Sequence, residues 1–205
     1  MPMPVRVETT EFEGLLRVYT GRARDARGFF SEVYSQRMFS EAGIPAAFVQ
    51  DSMSESAKGV LRGMHYQLMP EGQGKLVRCL HGAVFDVAVD LRVGSATFGK
   101  WYGLELSAEN GVALFIPVGF AHGFLVLEEA SLLHYKCTAH HAPECERTLS
   151  YCCPKVGIVW PEVARMVSDR DAVAPGLEEA EYNFGCRGGR SVGPVGQVGQ
   201  VGLDG

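Results

Sequence analysis

The residues with the clearest chemical potential lie between positions 59 and 78, where Arg62, His65 and Lys75 fall within one predicted strand–loop–strand unit. A histidine is the side chain most easily poised as a base near neutral pH. A nearby lysine can stabilise the negative charge that develops when such a base removes a proton from carbon. The segment therefore predicts the floor of a carbon-acid site, with a satisfied core histidine as the structural alternative.

Three residues elsewhere are candidates to complete such a site. Asp171 is a possible partner for His65, because a carboxylate bonded to one imidazole nitrogen fixes the tautomer and stabilises the protonated ring. Tyr135 lies in a predicted strand whose alternation turns His134 away from it, and an interior tyrosine hydroxyl needs a hydrogen-bond partner or a function. His122 either contacts a ligand or caps a strand. For Asp171 and Tyr135 a purely structural role is the alternative.

The elements that position these residues are predicted to be short strands. Residues 5–20 form a strand pair, a short helix lies between Ser35 and Gly43, and strands about ten residues apart run from 47 to 158. This spacing, without long helices, predicts an all-β fold, and a jelly roll with a few short helices fits it. Its interior would hold a ligand between two sheets. A closing turn of helix is predicted at residues 177–182.

The composition suits a single domain in a chain of 205 residues. We assign residues 1–185 to one folded domain and residues 186–205 to a Gly/Val-rich flexible tail, in which glycine recurs every third residue from Gly193. The net charge of −5 argues against a general nucleic-acid binder, because phosphate contacts need a basic surface.

The sequence gives no sign of membrane association. No apolar run approaches the roughly 20 residues of a membrane span, and the first residues lack the apolar core of a signal peptide. We therefore expect a cytoplasmic protein whose six cysteines are free thiols.

A metal site is not favoured by the histidine and cysteine spacing. Jelly-roll metal sites usually use two histidines separated by one residue, but His65 has Gly63 and Gln67 at those distances. Cys152 and Cys153 are adjacent, and no CxxC pair exists to complete a zinc clamp. We predict a metal-free site.

Several long motifs, in order, resemble those of dTDP-4-dehydrorhamnose 3,5-epimerases. The resemblance runs from about Val5 to Pro175 and rests on the segments GVLRGMHYQ, QGKLVR, VFDVAVDLR, FGKW, LSAEN and IPVGFAHGF. It implies a cupin-type jelly roll, usually a homodimer, that works without metal or organic cofactor. The implied substrate is dTDP-4-dehydro-6-deoxy-D-glucose, whose C4 ketone acidifies the protons at C3 and C5. The implied product is dTDP-4-dehydro-L-rhamnose, formed through an enolate that is reprotonated from the opposite face.

The resemblance also implies a role for each matching residue. His65 resembles the base, Asp171 its dyad partner, Tyr135 the acid on the other face, and Lys75 the stabiliser of the enolate oxygen. Positions that resemble the family's substrate-binding residues are Arg27, Glu32, Gln50, Asp51, Ser52, Arg62, His122, His141, Glu146 and Arg170. Arg62 and Arg170 suit the diphosphate, because guanidinium pairs well with phosphate oxygens.

The chain departs from the family pattern at two positions in the nucleotide-binding part. His141 occupies the position where a tyrosine commonly stacks on the thymine, and Ser52 replaces a usual asparagine. Imidazole can still stack, but it is smaller and can carry charge. Neither change touches the expected acid or base.

Three other functions compete with double epimerisation. A single-carbon epimerase of a dTDP-4-keto-6-deoxy sugar, as in antibiotic-sugar pathways, is the closest, but all the expected acid–base groups are present and favour the double reaction. A non-catalytic sugar-nucleotide-binding cupin would not require His65, Lys75 and Tyr135 together. A metal-dependent cupin isomerase or oxygenase would require a metal.

Overall fold

The computed structural model describes residues 5–44, 47–162, 164 and 166–185. The predicted tail, residues 186–205, lies outside them. In chain order the elements are β1 (Val5–Thr9), β2 (Leu16–Thr20), β3 (Ala23–Asp25), β4 (Gly28–Phe30), α1 (Gln36–Glu41), β5 (Gln50–Ser56), β6 (Leu61–Gln67), β7 (Lys75–His81), β8 (Ala83–Asp90), β9 (Trp101–Ser107), β10 (Val112–Ile116), β11 (Phe120–Val126), β12 (Ser131–Cys137), β13 (Glu146–Thr148) and α2 (Asp169–Ala172).

Two antiparallel sheets face each other, which confirms the predicted all-β jelly roll. The six-stranded sheet has the order β1-β2-β10-β7-β12-β5, and the five-stranded sheet has the order β13-β6-β11-β8-β9. Strands β3 and β4 form a separate hairpin. The predicted strand pair at residues 5–20 is β1 and β2, paired in register from Val5↔Thr20 to Thr9↔Leu16.

The five-stranded sheet is covered on both faces, which explains the nearly unbroken apolar runs of its central strands. On β8, Val84 and Ala88 pack in the core between the sheets, whereas Val87 and Val89 pack on the outer face against the C-terminal segment. Asp86 shares the inner row with Val84 and Ala88 and is fully buried. Because neither face of this sheet is exposed to solvent, its central strands do not show the usual alternation of apolar and polar residues.

Helix α1 covers the outer face of the six-stranded sheet. It begins after Ser35 and ends before Gly43, which has a φ of +86°, so the predicted helix is confirmed. Phe39 packs on Val18, Leu76 and other residues of that face. Among the described residues, no helix has the length and apolar character needed to cross a membrane.

The helical turn predicted at residues 177–182 is wrong, and the second helix lies earlier, at Asp169–Ala172. Residues 177–180 form a turn in which Ala180 N–H donates to the carbonyl of Gly176 over 2.9 Å. Beyond it the chain has to extend, because the carbonyl of Phe184 accepts a hydrogen bond from Val93 N–H over 2.9 Å. Val93 also pairs with Gly185 in an isolated parallel bridge, so the end of this segment is extended and not helical.

Candidate active site

A cavity of about 410 Å³ lies between the two sheets. It is lined by Gln50, Ser52, Ser54, Arg62, His65, Gln73, Lys75, His122, Phe124, Tyr135, Cys137 and His141. Most of these residues lie on β5, β6, β7, β11 and β12, so both sheets contribute to its walls. Eight of the fourteen residues singled out in the sequence line this cavity, which brings them together as one site.

A bulge in β6 places Arg62 and His65 in the same cavity. Strict alternation would turn residues three positions apart to opposite faces. The pairing with β11 shifts, however, from His65↔His122 to Arg62↔Phe124, so β6 carries one extra residue. Gly63 takes up the extra residue with a φ of +136°, a conformation that favours glycine.

Glycine is also required at the point where the paired strands β6 and β11 approach each other most closely. A Cβ added to Gly63 would lie 2.5 Å from the Cα of Gly123, and a Cβ added to Gly123 would lie 2.6 Å from the Met64 Sδ. The two backbones therefore approach too closely for any side chain between them. This close approach places His65 and His122 opposite each other in the register of the two strands.

His65 and Asp171 form a pair at one wall of the cavity. The His65 Nε2 lies 2.7 Å from the Asp171 Oδ1, and Asp171 Oδ2 accepts a hydrogen bond from Gly63 N–H over 3.2 Å. Ser168 caps α2 by accepting a hydrogen bond from the Asp171 N–H, which holds this aspartate at the start of the helix. The His65 Nδ1 is then the ring nitrogen left for a ligand in the cavity.

The pKa of Asp171 lies below its ordinary value of 3.8. Burial by itself would raise that pKa, but the hydrogen bond and charge of His65, with the Gly63 N–H, outweigh it. Asp171 is therefore an ionised orienting group for His65, placed to fix the orientation of its ring.

A second pair, His122 and Asp86, was not predicted from the sequence. The His122 Nε2 lies 2.8 Å from the Asp86 Oδ1, and both side chains are buried. Burial lowers the pKa of His122, against the opposing effect of Asp86, and Lys75 lowers it further. The signal in the sequence was an aspartate in the inner row of an otherwise apolar strand, between Val84 and Ala88.

Tyr135 approaches the cavity from β12, in the opposite sheet to His65. Its hydroxyl lies 2.7 Å from the Ser54 Oγ, and its ring packs near those of His122 and Phe124, at centroid distances of 6.2 and 6.4 Å. Burial raises the pKa of the phenol, so the Tyr135 hydroxyl keeps its proton near neutral pH. His134, which precedes Tyr135 in β12, points away from the cavity toward Asp51.

Lys75 begins β7 and points into the cavity from the same sheet as Tyr135. None of the ion pairs among the described residues includes it. Burial lowers its pKa, opposed by the more distant charges of Cys137, Glu146 and Asp86. Lys75 has thus given up part of its hydration, and no ion pair among the described residues compensates for that loss.

The edge strand β5 turns every second residue into the cavity. Gln50, Ser52 and Ser54 line it, whereas Asp51 points to the other face, where it accepts from the Lys136 Nζ over 2.7 Å. Asp51, predicted as a substrate-binding position, therefore does not reach this cavity in the described chain. The period of two along a strand decides this, since neighbouring residues cannot share a face.

His141, Glu146 and Arg170 form a chain of contacts at the edge of the cavity. The His141 Nε2 lies 3.4 Å from the Glu146 Oε2, and the Arg170 Nη1 lies 2.7 Å from the same oxygen. Only His141 lines the cavity; Glu146 and Arg170 line a neighbouring one of about 330 Å³. Burial would raise the pKa of Glu146, but Arg170 and His141 outweigh it and lower that pKa.

Arg27 and Glu32, predicted as nucleotide-binding positions, lie away from the cavity. Arg27 is at the turn of the β3–β4 hairpin, where it forms an exposed ion pair with Asp25. Glu32 follows β4, whose residues Phe29 and Phe30 are exposed by 53% and 71%. The hairpin therefore does not bring either residue to the cavity of its own chain.

Sequence reasoning missed four of the residues that line the cavity, namely Ser54, Gln73, Phe124 and Cys137. Alternation could have found two of them, because Ser54 lies two residues beyond Ser52 and Cys137 two residues beyond Tyr135. Within the described ranges, no group of three or more His, Cys, Asp or Glu side chains is placed to hold a metal ion.

Comparison with known proteins gives one consistent family. The family model described as dTDP-4-dehydrorhamnose 3,5-epimerase matches residues 9–179. A relative of that name from Pseudomonas aeruginosa is 53% identical over 159 residues, covering 77% of this chain and 87% of its own. One from Escherichia coli is 46% identical over 164 residues, covering 80% and 89%.

Two crystal structures with bound ligands share the fold. The dTDP-6-deoxy-D-glucose-3,5-epimerase of Legionella pneumophila, in complex with dTDP-4-keto-L-rhamnose, superposes with a TM-score of 0.81 at 45% identity, covering 85% of this chain and 94% of its own. A 3′-monoepimerase from Streptomyces bikiniensis, in complex with dTDP-quinovose, gives a TM-score of 0.79 at 33% identity, with coverage of 83% and 87%.

Proposed function

The chain belongs to the dTDP-4-dehydrorhamnose 3,5-epimerase family, and from this premise we propose that it inverts C3 and C5 of dTDP-4-dehydro-6-deoxy-D-glucose to give dTDP-4-dehydro-L-rhamnose. One observation carries the proposal: His65 and Tyr135 reach the same cavity from opposite sheets. An epimerase that removes a proton on one face of a ring and returns one on the other needs an acid and a base in that arrangement.

His65 is the proposed base. Its Nδ1 takes the proton from the carbon next to the C4 ketone, and the C–H electron pair becomes the double bond of an enolate. Asp171, 2.7 Å from the Nε2, stabilises the imidazolium that forms. The His65 side chain is 30% exposed in the cavity, which gives the substrate access to it.

Lys75 and Tyr135 complete the proposed reaction. The Lys75 ammonium stabilises the enolate oxygen, an interaction strengthened because the lysine has no carboxylate in contact. Tyr135 then donates its phenolic proton to the enolate carbon from the opposite face. Inversion at both carbons repeats this cycle, and every proton transfer in it uses a side chain of the chain itself.

Substrate binding is proposed for the polar residues around these groups. Arg62, which also donates to the Ser56 Oγ over 2.9 Å, suits the diphosphate. His122, whose Nε2–H is directed to Asp86, suits a ligand hydroxyl that donates to its Nδ1. His141, held by its backbone N–H on the Gln50 Oε1 over 2.9 Å, presents its ring to the nucleobase.

We also propose that the protein works as a homodimer. The β3–β4 hairpin exposes Phe29 and Phe30, and aromatic side chains are enriched at protein interfaces. Arg27 and Glu32, on and beside this hairpin, do not line the cavity of their own chain. A second copy seated against the hairpin would bury its aromatic side chains and receive these two residues.

A single-carbon epimerase of a dTDP-4-keto-6-deoxy sugar is the second candidate. The observation that favours it is the shared fold with the 3′-monoepimerase from Streptomyces bikiniensis. The higher identity to the double epimerases, 53% for the Pseudomonas aeruginosa relative, favours the first proposal.

Incubation with dTDP-4-dehydro-6-deoxy-D-glucose in deuterated water separates these functions. Deuterium at both C3 and C5, with inverted product, is the expected result, and His65→Asn should abolish it with the fold intact. Deuterium at one carbon alone supports the single-carbon epimerase. Binding of the sugar nucleotide without any solvent exchange would mean a binding module and contradict the proposal.

A further inference from the structure

We infer that Ser54 is a positioning residue for the acid: its hydroxyl donates a hydrogen bond to the Tyr135 oxygen and so aims the phenolic proton at the substrate. The inference rests on the proposed function, because it assigns Ser54 a part in the proton return. The two oxygens are 2.7 Å apart, and both residues line the cavity.

The pairing of β5 with β12 brings Ser54 and Tyr135 next to each other. Strands β5 and β12 pair antiparallel, with Tyr135 opposite Ser52 and Leu133 opposite Ser54. Ser54 is therefore the diagonal neighbour of Tyr135 on the same face, within reach of a long side chain. Gln50, Ser52 and Ser54 alternate along β5 and all line the cavity, so the row that carries Ser54 faces it.

Ser54 is the single side chain that hydrogen-bonds the Tyr135 hydroxyl among the described residues. The nearby rings do not compete, since Phe124 is apolar and the His122 Nε2 is held by Asp86 at 2.8 Å. A phenol hydroxyl has one proton and accepts through its lone pairs. If Ser54 donates, the Tyr135 proton is left free to point into the cavity.

In the proton transfer, Ser54 only donates a hydrogen bond and does not exchange its own proton. The Tyr135 O–H bond breaks, and the enolate double bond supplies the electron pair for the new C–H bond at the sugar carbon. The phenolate keeps the O–H pair and the hydrogen bond from Ser54, whose own proton stays in place. Water later returns a proton to the phenolate, and His65 gives its proton to water.

The strand offers a matched control in Ser56, two residues farther along the same face. The Ser56 Oγ accepts from the Arg62 Nε over 2.9 Å, and among the described hydrogen bonds the Tyr135 hydroxyl pairs with Ser54 and not with Ser56. Loss of the Ser56 hydroxyl should therefore weaken the hold on Arg62 and raise KM. It should leave the balance between proton removal and proton return unchanged.

The test measures, in deuterated water, the ratio of substrate that has exchanged its proton without inversion to substrate that has been inverted. Ser54→Ala should raise this ratio by about tenfold, since a missing hydrogen bond of ordinary strength slows the return step by roughly that factor. Ser54→Thr, which keeps the hydroxyl, should restore the wild-type ratio, and Ser56→Ala should not change it.

A wild-type ratio in Ser54→Ala, or equal loss of exchange and inversion, would overturn the inference. Equal loss with unchanged dTDP affinity would mean a structural role instead, and equal loss with lost dTDP affinity would mean general damage. Failure of the proposed function is distinguishable, because the wild-type protein would then show neither exchange nor inversion.

Discussion

Two His–Asp pairs with different exposure place their imidazole rings in the same cavity. The His65 side chain is 30% exposed and that of His122 is 5% exposed, while both aspartates are almost fully buried. The accessible pair suits proton removal from a substrate, because the base must reach the carbon and later exchange with water. The buried pair suits a fixed hydrogen-bond acceptor, since burial lowers the pKa of His122 and its Nε2–H is directed to Asp86, which leaves the Nδ1 lone pair for a ligand.

Replacing Asp171 with asparagine should reduce kcat by roughly 100-fold or more, because an amide neither fixes the same tautomer nor stabilises the imidazolium. Steady-state kinetics with the keto sugar nucleotide would measure this, with KM expected to change little. A kcat close to that of the wild type would contradict the role of Asp171 as an orienting group.

The same variant should show a pH-dependent loss of stability. The folded-state pKa of Asp171 is lowered from 3.8, so its stabilising contribution is present above pH 3.8 and is lost as the pH falls through the folded-state value. The difference in unfolding free energy between wild type and Asp171→Asn should therefore be largest near pH 7 and shrink below about pH 4. Urea unfolding across that range would measure it, and a constant difference would contradict the assignment.

Lys75→Met should make the protein more stable and less active. Methionine removes a partly dehydrated charge that has no carboxylate in contact, so the unfolding free energy should rise by about 1 kcal/mol. The enolate would lose its cation, and kcat should fall by about 100- to 1,000-fold. Lys136→Met is the control, because Lys136 pairs with Asp51 on the outer face; its kcat should stay at the wild-type value.

At the scale of elements, the site depends on the irregular pairing of β6 with β11. The bulge at Gly63 brings Arg62 and His65 to one face, while Met64 is fully buried in the core cluster on the outer face. Bulges of this kind re-aim side chains next to active sites. The position of the proposed base is therefore set by a backbone contact with Gly123 and not by His65 alone.

Gly123→Ala should lower the unfolding free energy by about 2 kcal/mol and reduce kcat, because the new Cβ would meet the Arg62 carbonyl at 2.8 Å and the Met64 Sδ at 2.6 Å. Gly176→Ala is the matched control, since its Cβ would meet nothing closer than the Cys153 Sγ at 3.6 Å. Thermal unfolding and kinetics measure both. Equal stability of the two variants would contradict the importance of the close approach.

At the scale of the whole molecule, the cavity of one chain lacks some of the residues that were predicted to bind the substrate. Arg27 and Glu32 lie on and beside a hairpin away from it, and the hairpin's Phe30 is 71% exposed. Two adjacent exposed aromatic side chains, Phe29 and Phe30, fit an interface, where aromatic residues are enriched. The proposed homodimer accounts for both observations.

Phe30→Asp should convert the dimer to a monomer and raise KM for the sugar nucleotide, because a charge would be forced into the interface. Val159→Asp is the control: Val159 is equally exposed, at 71%, and lies outside the hairpin. Light scattering gives the mass and steady-state kinetics the KM. A Phe30→Asp protein that remains dimeric, or a wild type that is monomeric, would contradict the proposal.

The sequence by itself determined the class of fold and the family, and it predicted the acid–base residues of the proposed mechanism. Strand-length alternation and frequent turns predicted the jelly roll, and α1 was found from its boundaries at Ser35 and Gly43. The family resemblance implied acid–base roles for His65, Tyr135 and Asp171 and an enolate-stabilising role for Lys75. These features are local, so a short stretch of chain carries the whole signal.

The tertiary structure alone decided which residues meet. Asp86 under His122, the Ser54–Tyr135 hydrogen bond and the shared face of Arg62 and His65 all depend on strand register and on one bulge. Register is a relation between segments distant in the chain, so no local pattern encodes it fully. The misplaced C-terminal helix has the same cause, since a hydrogen bond from Val93 to the Phe184 carbonyl, and not local propensity, holds that segment extended.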